Sequence, residues 1–553
     1  MIPPKESIKS IKEYNPPKFV RKGFVRLDCN ENVIGCSEKV LKRIKEIDGE
    51  DLSIYPNYTG LSEKVAEYSK VDPNEVLVTN ASDDAIKLVF DCFIEKNDEA
   101  IILDPTFAVY ELFLGTIGAK IKKVQYESDL SFPTKKVIEE ITPKTKMVVL
   151  CNPNNPTGTI ISRKEIILVL EKAKSAVVLV DEAYFEFSKE TCSGLIKKYD
   201  NLIITRTFSK AFGLAGIRAG YIISDNENIK NLKKIYGPYN VNYFAKIGIE
   251  AAIEDKSFAE NYSKEVMQNK EKLKKELTKL EIKVYPSKAN FLLAKFSNPK
   301  SIKEKLMEKK ILIRDVTSYT LLEKCLRISI GTKEKARLLT NALKEILKPA
   351  LIFDIDGVLV DVSNSYRTAI KQTTEYFTKT NVSPEEIQSY KEITGYNNDW
   401  DLSEAIILSR GKKVAKQEII DKFQEYYLGK NFDGLIMNEK WLANNNLIEE
   451  LSKKYKLAIV TGRPKIEAEF ALKANKALKY FPTIIAMEDI TKDKPDPEGI
   501  LKVLKLLDAE NAVYFGDTIN DKKAAEGAKI GYRMIKENVN EVMKEFLEKE
   551  VFK

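Results

Sequence analysis

The sequence predicts an α/β protein, a mainly parallel sheet with a small α/β appendage followed by a second and smaller α/β domain. Three observations predict it. Short β-branched or apolar runs alternate with longer helical patterns along the whole chain. A length of 553 residues is too great for one small module and suits two large domains or three to four ordinary ones. Lys348-Pro349 interrupts a helical pattern, and a new apolar strand, ALIFDIDG, starts at once.

Taken in order, the predicted strands of the first part are VLVT at 76–79, AIILD at 100–104, MVVLC at 147–151, AVVLVDEAY at 176–184 and LIITRTFSK at 202–210. Helical stretches at 83–94 and 163–174 separate them, and this alternation places functional groups at strand ends. The lysine- and glutamate-rich region 228–282 reads as long helices. Residues 283–346 read as a smaller α/β unit closing on the helix KEKARLLTNALKEIL. Past the proline, LAIVTGRP at 457–464 and AVYFGDT at 512–518 are again buried strands running into polar turns, with a helix-rich stretch from 361 to 455 before them. Neither part shows an internal repeat or a low-complexity segment.

Composition excludes several classes of function. Apolar residues at 43% and charged residues at 31% supply packed cores and argue against disorder. The net charge of +8 is too thin over this length to indicate nucleic acid, though it suits small anionic substrates. No apolar run approaches the eighteen or so residues that span a bilayer, and MIPPKESIKS lacks a signal peptide's apolar core, so a cytoplasmic protein without membrane contact is expected. Six scattered cysteines with no CxxC pair give neither a disulfide framework nor a zinc site. The chain has no histidine. Ser-His-Asp catalysis, Cys-His catalysis and imidazole metal ligands are therefore impossible, and acid-base work falls to Lys, Asp, Glu, Tyr or Cys.

One constellation in the first part could form a carbonyl-binding site. Thr207-Phe208-Ser209-Lys210 follows a strand, and Arg218 stands eight positions after the lysine. A Schiff-base lysine must be desolvated, and a cofactor phosphate needs hydroxyls and a fixed cation. Alone, Lys210 reads equally well as a solvated lysine. Asp181 at the end of VLVD could keep a pyridine nitrogen protonated, and Asn155 in the turn Asn152-Pro153-Asn154-Asn155-Pro156 could bond a ring hydroxyl, or serve only that turn.

Together these motifs resemble the fold type I aminotransferases that use pyridoxal 5'-phosphate, most closely the histidinol-phosphate aminotransferase branch, over about 1–347. The resemblance implies small-domain parts at about 1–35 and 283–347. It also implies roles. Lys210 would bind the cofactor aldehyde and carry the proton, Asp181 would pair with the ring nitrogen, and Asn155 and Tyr184 would contact the ring oxygen. Thr207, Ser209 and Arg218 would hold the phosphate with the backbone N–H groups of Ala81, Ser82 and Asp83 at a helix start. Tyr110 would stack on the ring, unless it is a core aromatic. Arg327, and less directly Arg314, would grip the substrate's anionic group, although an arginine inside an apolar strand can also serve an internal salt bridge. Tyr55 would reach the cofactor phosphate of a second subunit, which implies a homodimer.

The second constellation opens with Asp354-Ile355-Asp356-Gly357 after an apolar strand, where two converging carboxylates need a cation unless they form only a charged turn. Thr461-Gly462-Arg463, Lys494-Pro495-Asp496 and Gly516-Asp517-Thr518-Ile519-Asn520-Asp521 follow in order. These motifs resemble the haloacid dehalogenase-like superfamily over about 350–553, a Rossmannoid domain with a helical cap at about 362–455. The resemblance implies that Asp354 attacks phosphorus and Asp356 serves as acid and base, while Thr461 and Lys494 bind the phosphoryl group. Asp354, Asp517 and the Asp356 carbonyl would hold Mg²⁺, with Asp521 assisting or holding Lys494. The second aspartate favours a phosphatase or phosphomutase over a dehalogenase.

The two resemblances imply a bifunctional enzyme of histidine biosynthesis. Its first part would convert imidazole-acetol phosphate and glutamate to histidinol phosphate and 2-oxoglutarate, and its second would hydrolyse that ester. The alternative is an aromatic or other amino-acid aminotransferase joined to a phosphatase of unrelated or broad range. A lack of histidine suits an enzyme needed when histidine is scarce, although laboratory removal would leave the same trace.

Overall fold

The computed structural model describes residues 2–9, 11, 19–391, 398–509, 511–536 and 538–549. The chain divides into two compact units, Met1–Ile346 and Leu347–Lys553. Among the described residues no helix is long and apolar enough to cross a membrane, and all six cysteines are free thiols.

The first unit is built on a seven-stranded sheet in the order Val76–Thr79, Gly220–Ser224, Leu202–Thr207, Val177–Asp181, Thr145–Cys151, Glu99–Asp104, Lys120–Gln125. All neighbours are parallel except Gly220–Ser224, which runs antiparallel to both of its partners. Central strands read as unbroken apolar runs because helices cover both faces. Leu179, Ile203 and Ile222 are fully buried, each removal from water stabilising the fold by roughly 1.5–3 kcal/mol. Lys120–Gln125 is the lysine-rich edge strand, a composition that discourages further pairing.

The lysine-rich region forms three helices, Asn226–Ile235, Tyr243–Glu254 and Lys256–Lys279. Beyond them lies a five-stranded sheet in the order Val25–Leu27, Ile311–Asp315, Cys325–Ser329, Phe291–Lys295, Lys283–Val284. The N-terminal strand enters it parallel to Ile311–Ile313, so segments 286 residues apart in sequence form one layer.

The second unit has a parallel five-stranded sheet in the order Thr483–Ile485, Lys456–Val460, Ala350–Phe353, Ala512–Gly516, Gly531–Met534. Its core includes Phe353 stacked on Phe515 at 4.4 Å. Helices Tyr366–Thr378, Pro384–Lys391, Asp399–Ser409 and Lys416–Tyr427 form an insertion with its own core of Ile370, Leu402, Ile406 and Phe423. The insertion leaves and rejoins the sheet domain through the antiparallel pair Val360–Asp361 and Lys440–Trp441.

Candidate active sites

Parallel strands present their carboxyl ends on one edge, and in the first unit those ends surround a cavity of about 300 Å³. Strand Val177–Asp181 delivers Asp181 and strand Leu202–Thr207 delivers Thr207, with Ser209 and Lys210 in the turn that follows. Lys210 donates to the Cys29 carbonyl at 3.2 Å. Burial, and then the nearby charge of Arg327, push its amine below the ordinary lysine range, which favours the nucleophilic neutral form.

Asp181 is buried, and burial raises its carboxyl to about 6 against the opposing hydrogen bonds from Tyr110 and Thr205. Those bonds are 2.6 and 3.1 Å long, and the Ala183 N–H adds a third at 3.2 Å. No cation pairs with Asp181 among the described residues. A buried carboxylate without one is costly, and a protonated ring nitrogen would supply it. On this ground the residues fit pyridoxal phosphate.

Tyr184 accepts a hydrogen bond from Asn30 at 3.0 Å and lies, with Asn155, in the cavity wall. Ser82 and Asp83 reach the wall from the first turn of helix Ala81–Phe93, whereas Ala81 is buried beneath it at a φ of +75°. Arg218 pairs with Asp83 at 2.7 Å at the same end. The expectation for Tyr110 is corrected. Its side chain is fully buried with the hydroxyl on Asp181, and of the two it is Phe107, packed edge-on against it at 5.7 Å, that lines the cavity. Both aromatics belong to the run Pro105-Thr106-Phe107-Ala108-Val109-Tyr110, and the run alone does not say which faces the cavity. Tyr55 is outside the cavity of its own chain, 73% exposed and stacked on Tyr239 at 4.2 Å.

The far wall is cationic. Arg327 and Arg314 lie directly opposite each other on antiparallel strands, a like-charge placement that destabilises a sheet unless an anion joins it. Arg327 donates to the Asn155 side chain and the Asp28 carbonyl, both at 2.5 Å, and its Nε, although buried, has no partner among the described residues. No carboxylate side chain pairs with it among the described residues, so the internal salt bridge is not the arrangement found. Behind the site Arg206 and Glu182 form a buried pair at 2.8 Å. Removing one partner of such a pair typically costs about 3–5 kcal/mol.

The second unit places its motifs around a cavity of about 760 Å³. Asp354 follows the central strand Ala350–Phe353. Lys494 donates to Asp354 at 2.6 Å, to Asp521 at 2.7 Å and to the Tyr514 hydroxyl at 3.2 Å. Asp521 also accepts from the Thr518 N–H at 3.0 Å and hydroxyl at 2.6 Å, so it caps helix Ile519–Gly527 while holding the lysine. Thr461, buried, accepts from the Arg463 N–H at 3.2 Å. Gly357 lies at a φ of +70°, and any side chain there would collide with the Asp517 carboxylate.

Oxygens of Asp354, Asp517 and Asp521 lie within 4.8 Å of one another. Burial, and then repulsion from Asp521, raise Asp517 to about 6, and burial likewise raises Asp354 against the pull of Lys494. Three carboxylates against one ammonium leave an excess of negative charge, and all-oxygen donors suit a hard divalent cation, so the residues fit Mg²⁺. The Asp356 side chain is not one of the three clustered carboxylates and accepts from Arg463 Nε at 2.5 Å. That leaves only its carbonyl for the metal role expected of it.

Residues 22–343 match the aminotransferase class I and II family, and residues 351–535 match the haloacid dehalogenase-like hydrolases. A histidinol-phosphate aminotransferase of Caldanaerobacter subterraneus is 39% identical over 62% of this chain and 98% of its own length. The enzyme of that description from Methanocaldococcus jannaschii is 33% identical over 62% of this chain and 97% of its own. The crystal structure of the histidinol-phosphate aminotransferase from Clostridium acetobutylicum superimposes with a TM-score of 0.55 at 27% identity, covering 58% of this chain and 98% of that one. The Sinorhizobium meliloti enzyme in complex with pyridoxal-5'-phosphate, at 21% identity, a TM-score of 0.54 and coverage of 58% of this chain and 90% of that one, shares the fold.

Proposed function

Because the chain belongs to the class I and II aminotransferases and joins to them a haloacid dehalogenase-like hydrolase domain, we propose that it carries out two consecutive steps of histidine biosynthesis. The first unit transfers the amino group of glutamate to imidazole-acetol phosphate, and the second hydrolyses the histidinol phosphate so formed. The observation that carries this reading is the cationic wall of Arg327 and Arg314, with no carboxylate paired to it among the described residues, together with a desolvated lysine in the same cavity, which suits an anionic keto substrate.

In the first unit pyridoxal phosphate would be held by Asp181, Asn155, Tyr184, Thr207, Ser209 and Arg218 with the backbone N–H groups of Ala81, Ser82 and Asp83, and Phe107 would stack on its ring. When bound, it supplies an electron sink for charge developing at the substrate Cα. Lys210 takes and returns the proton at that carbon, a role favoured by the burial that lowers its proton affinity. Arg327 and Arg314 orient the substrate by its anionic end. Tyr55, exposed in its own chain, completes the phosphate site of a second copy, so the working form is a homodimer.

In the second unit Asp354 and Asp517 with the Asp356 carbonyl would hold Mg²⁺, while Asp521 holds Lys494. The metal supplies positive charge against the transferring phosphoryl group. Asp354 attacks phosphorus, Asp356 protonates the leaving alcohol and later takes a proton from water, and Thr461 and Lys494 grip the phosphoryl oxygens.

Phosphate release from histidinol phosphate tests the hydrolase half. Release is expected with Mg²⁺, falls to background on chelation with EDTA, and returns when Mg²⁺ is restored. A folded, Mg²⁺-supplied sample that releases none would move the second unit to an unrelated phosphate ester.

A further inference from the structure

Arg463 has no role in the reaction of the second unit as proposed, yet its side chain is heavily engaged beside the hydrolase centre. It is almost completely buried, and all three guanidinium nitrogens are used. Nη1 and Nη2 grip Glu439 as a fork at 3.0 and 3.1 Å, and Nε reaches Asp356 Oδ1 at 2.5 Å. The guanidinium lies over the Tyr366 ring at 5.1 Å. Tyr366 stacks on Tyr427, whose hydroxyl donates to Glu439 at 2.8 Å.

A purely structural arginine needs only one buried acid, and Glu439 already fills that place with bidentate geometry. The remaining nitrogen goes to Asp356, whose side chain is 36% exposed and lines the cavity shared with Asp354. The backbone adds to the link. The Arg463 N–H is bound to Thr461, and its carbonyl accepts from the Met487 N–H at 3.0 Å. Glu439 directly precedes Lys440–Trp441, one of the two strands through which the helical insertion joins the sheet domain.

We propose that Arg463 is the positioning residue of the hydrolase centre, fixing the Asp356 carboxyl at the cavity wall, with Glu439 as its anchor at the root of the helical insertion. The inference rests on the hydrolase reading of the second unit. Because Nε takes Oδ1, Oδ2 is the oxygen that exchanges the proton. In the first step an Asp354 oxygen bonds to phosphorus as the ester P–O bond breaks. The electron pair of that bond goes to the ester oxygen, which takes the Asp356 proton and leaves as the alcohol. In the second step water attacks phosphorus and gives a proton to Asp356. The bond to Asp354 then breaks, its electron pair returning to that carboxylate, and inorganic phosphate departs.

Both steps use the Asp356 carboxyl, as acid in the first and as base in the second, but only the first depends on the leaving group. An alkyl phosphate needs its leaving oxygen protonated, whereas p-nitrophenyl phosphate leaves as a stable phenolate. In Arg463→Met, hydrolysis of histidinol phosphate is expected to fall about a hundredfold or more, the usual contribution of a placed acid-base group. First-turnover release of nitrophenolate should change only severalfold and be followed by slow turnover. The phosphoryl-enzyme then accumulates, visible as a burst and as the mass of one phosphoryl group on the intact protein. Arg463→Lys, which keeps a cation but loses the fork, should recover part of the loss. Glu439→Gln should show the same signature more weakly.

Equal losses on both substrates with no phosphoryl-enzyme would overturn the proposal and leave Arg463 a structural residue. So would failure of both Arg463→Met and Glu439→Gln to fold. Failure of the wild-type protein to hydrolyse either ester is a different result, since it removes the hydrolase reading itself.

Discussion

Replacing Lys210 with alanine is expected to lower transamination by more than about ten-thousandfold, because one substitution removes both the covalent attachment point and the proton carrier. The visible absorbance of the bound cofactor should vanish with it. Hydrolysis of a phosphate ester by the same sample should stay within about twofold of wild type, since each unit holds a complete set of strand-end residues around its own cavity. Burial of Lys210 is the reason for expecting a folded variant: the ordinary lysine charge is already disfavoured at this position, and a small apolar side chain removes no ion pair to a described residue. Loss of both activities in folded protein would contradict two independent centres.

The converse is expected of Asp354→Asn. The amide keeps the shape of the carboxylate but cannot attack phosphorus, so ester hydrolysis should drop to background while transamination and cofactor absorbance are unchanged. Stability should not fall steeply, because the substitution relieves one of three mutually repelling carboxylates while Lys494 keeps its bond to Asp521. Phosphate release and cofactor absorbance measured on the same preparation check both halves of this expectation. Retained hydrolysis would remove Asp354 from the role of nucleophile.

Much of this architecture is legible in the residues themselves, and the exceptions have physical causes. Strand-end motifs are readable because a buried parallel strand is a continuous apolar run, and the first polar residue after it marks the site edge; Asp181 and Asp354 are found that way. Lys120–Gln125 is hidden because an edge strand carries lysines in place of an apolar run. The antiparallel Gly220–Ser224 carries no local mark of its direction, since pairing sense is set by its neighbours. Phe107 and Tyr110 are three residues apart, and only the position of Asp181 decides that the tyrosine hydroxyl turns inward and the phenylalanine faces the cavity. Arg463 and Glu439 stand 24 residues apart with no motif joining them, so their fork appears only in three dimensions. The lack of an acidic partner for Arg327 among the described residues is likewise a fact of the fold, because an arginine in an apolar strand reads the same whether it faces an acid or waits for an anion.

The most direct measurement supplies imidazole-acetol phosphate and glutamate to the intact protein with pyridoxal phosphate and Mg²⁺, and follows 2-oxoglutarate and inorganic phosphate together. The proposed pair of reactions predicts that 2-oxoglutarate appears first and phosphate follows after a lag, approaching equal amounts. Formation of 2-oxoglutarate with histidinol phosphate accumulating and no phosphate released would contradict it.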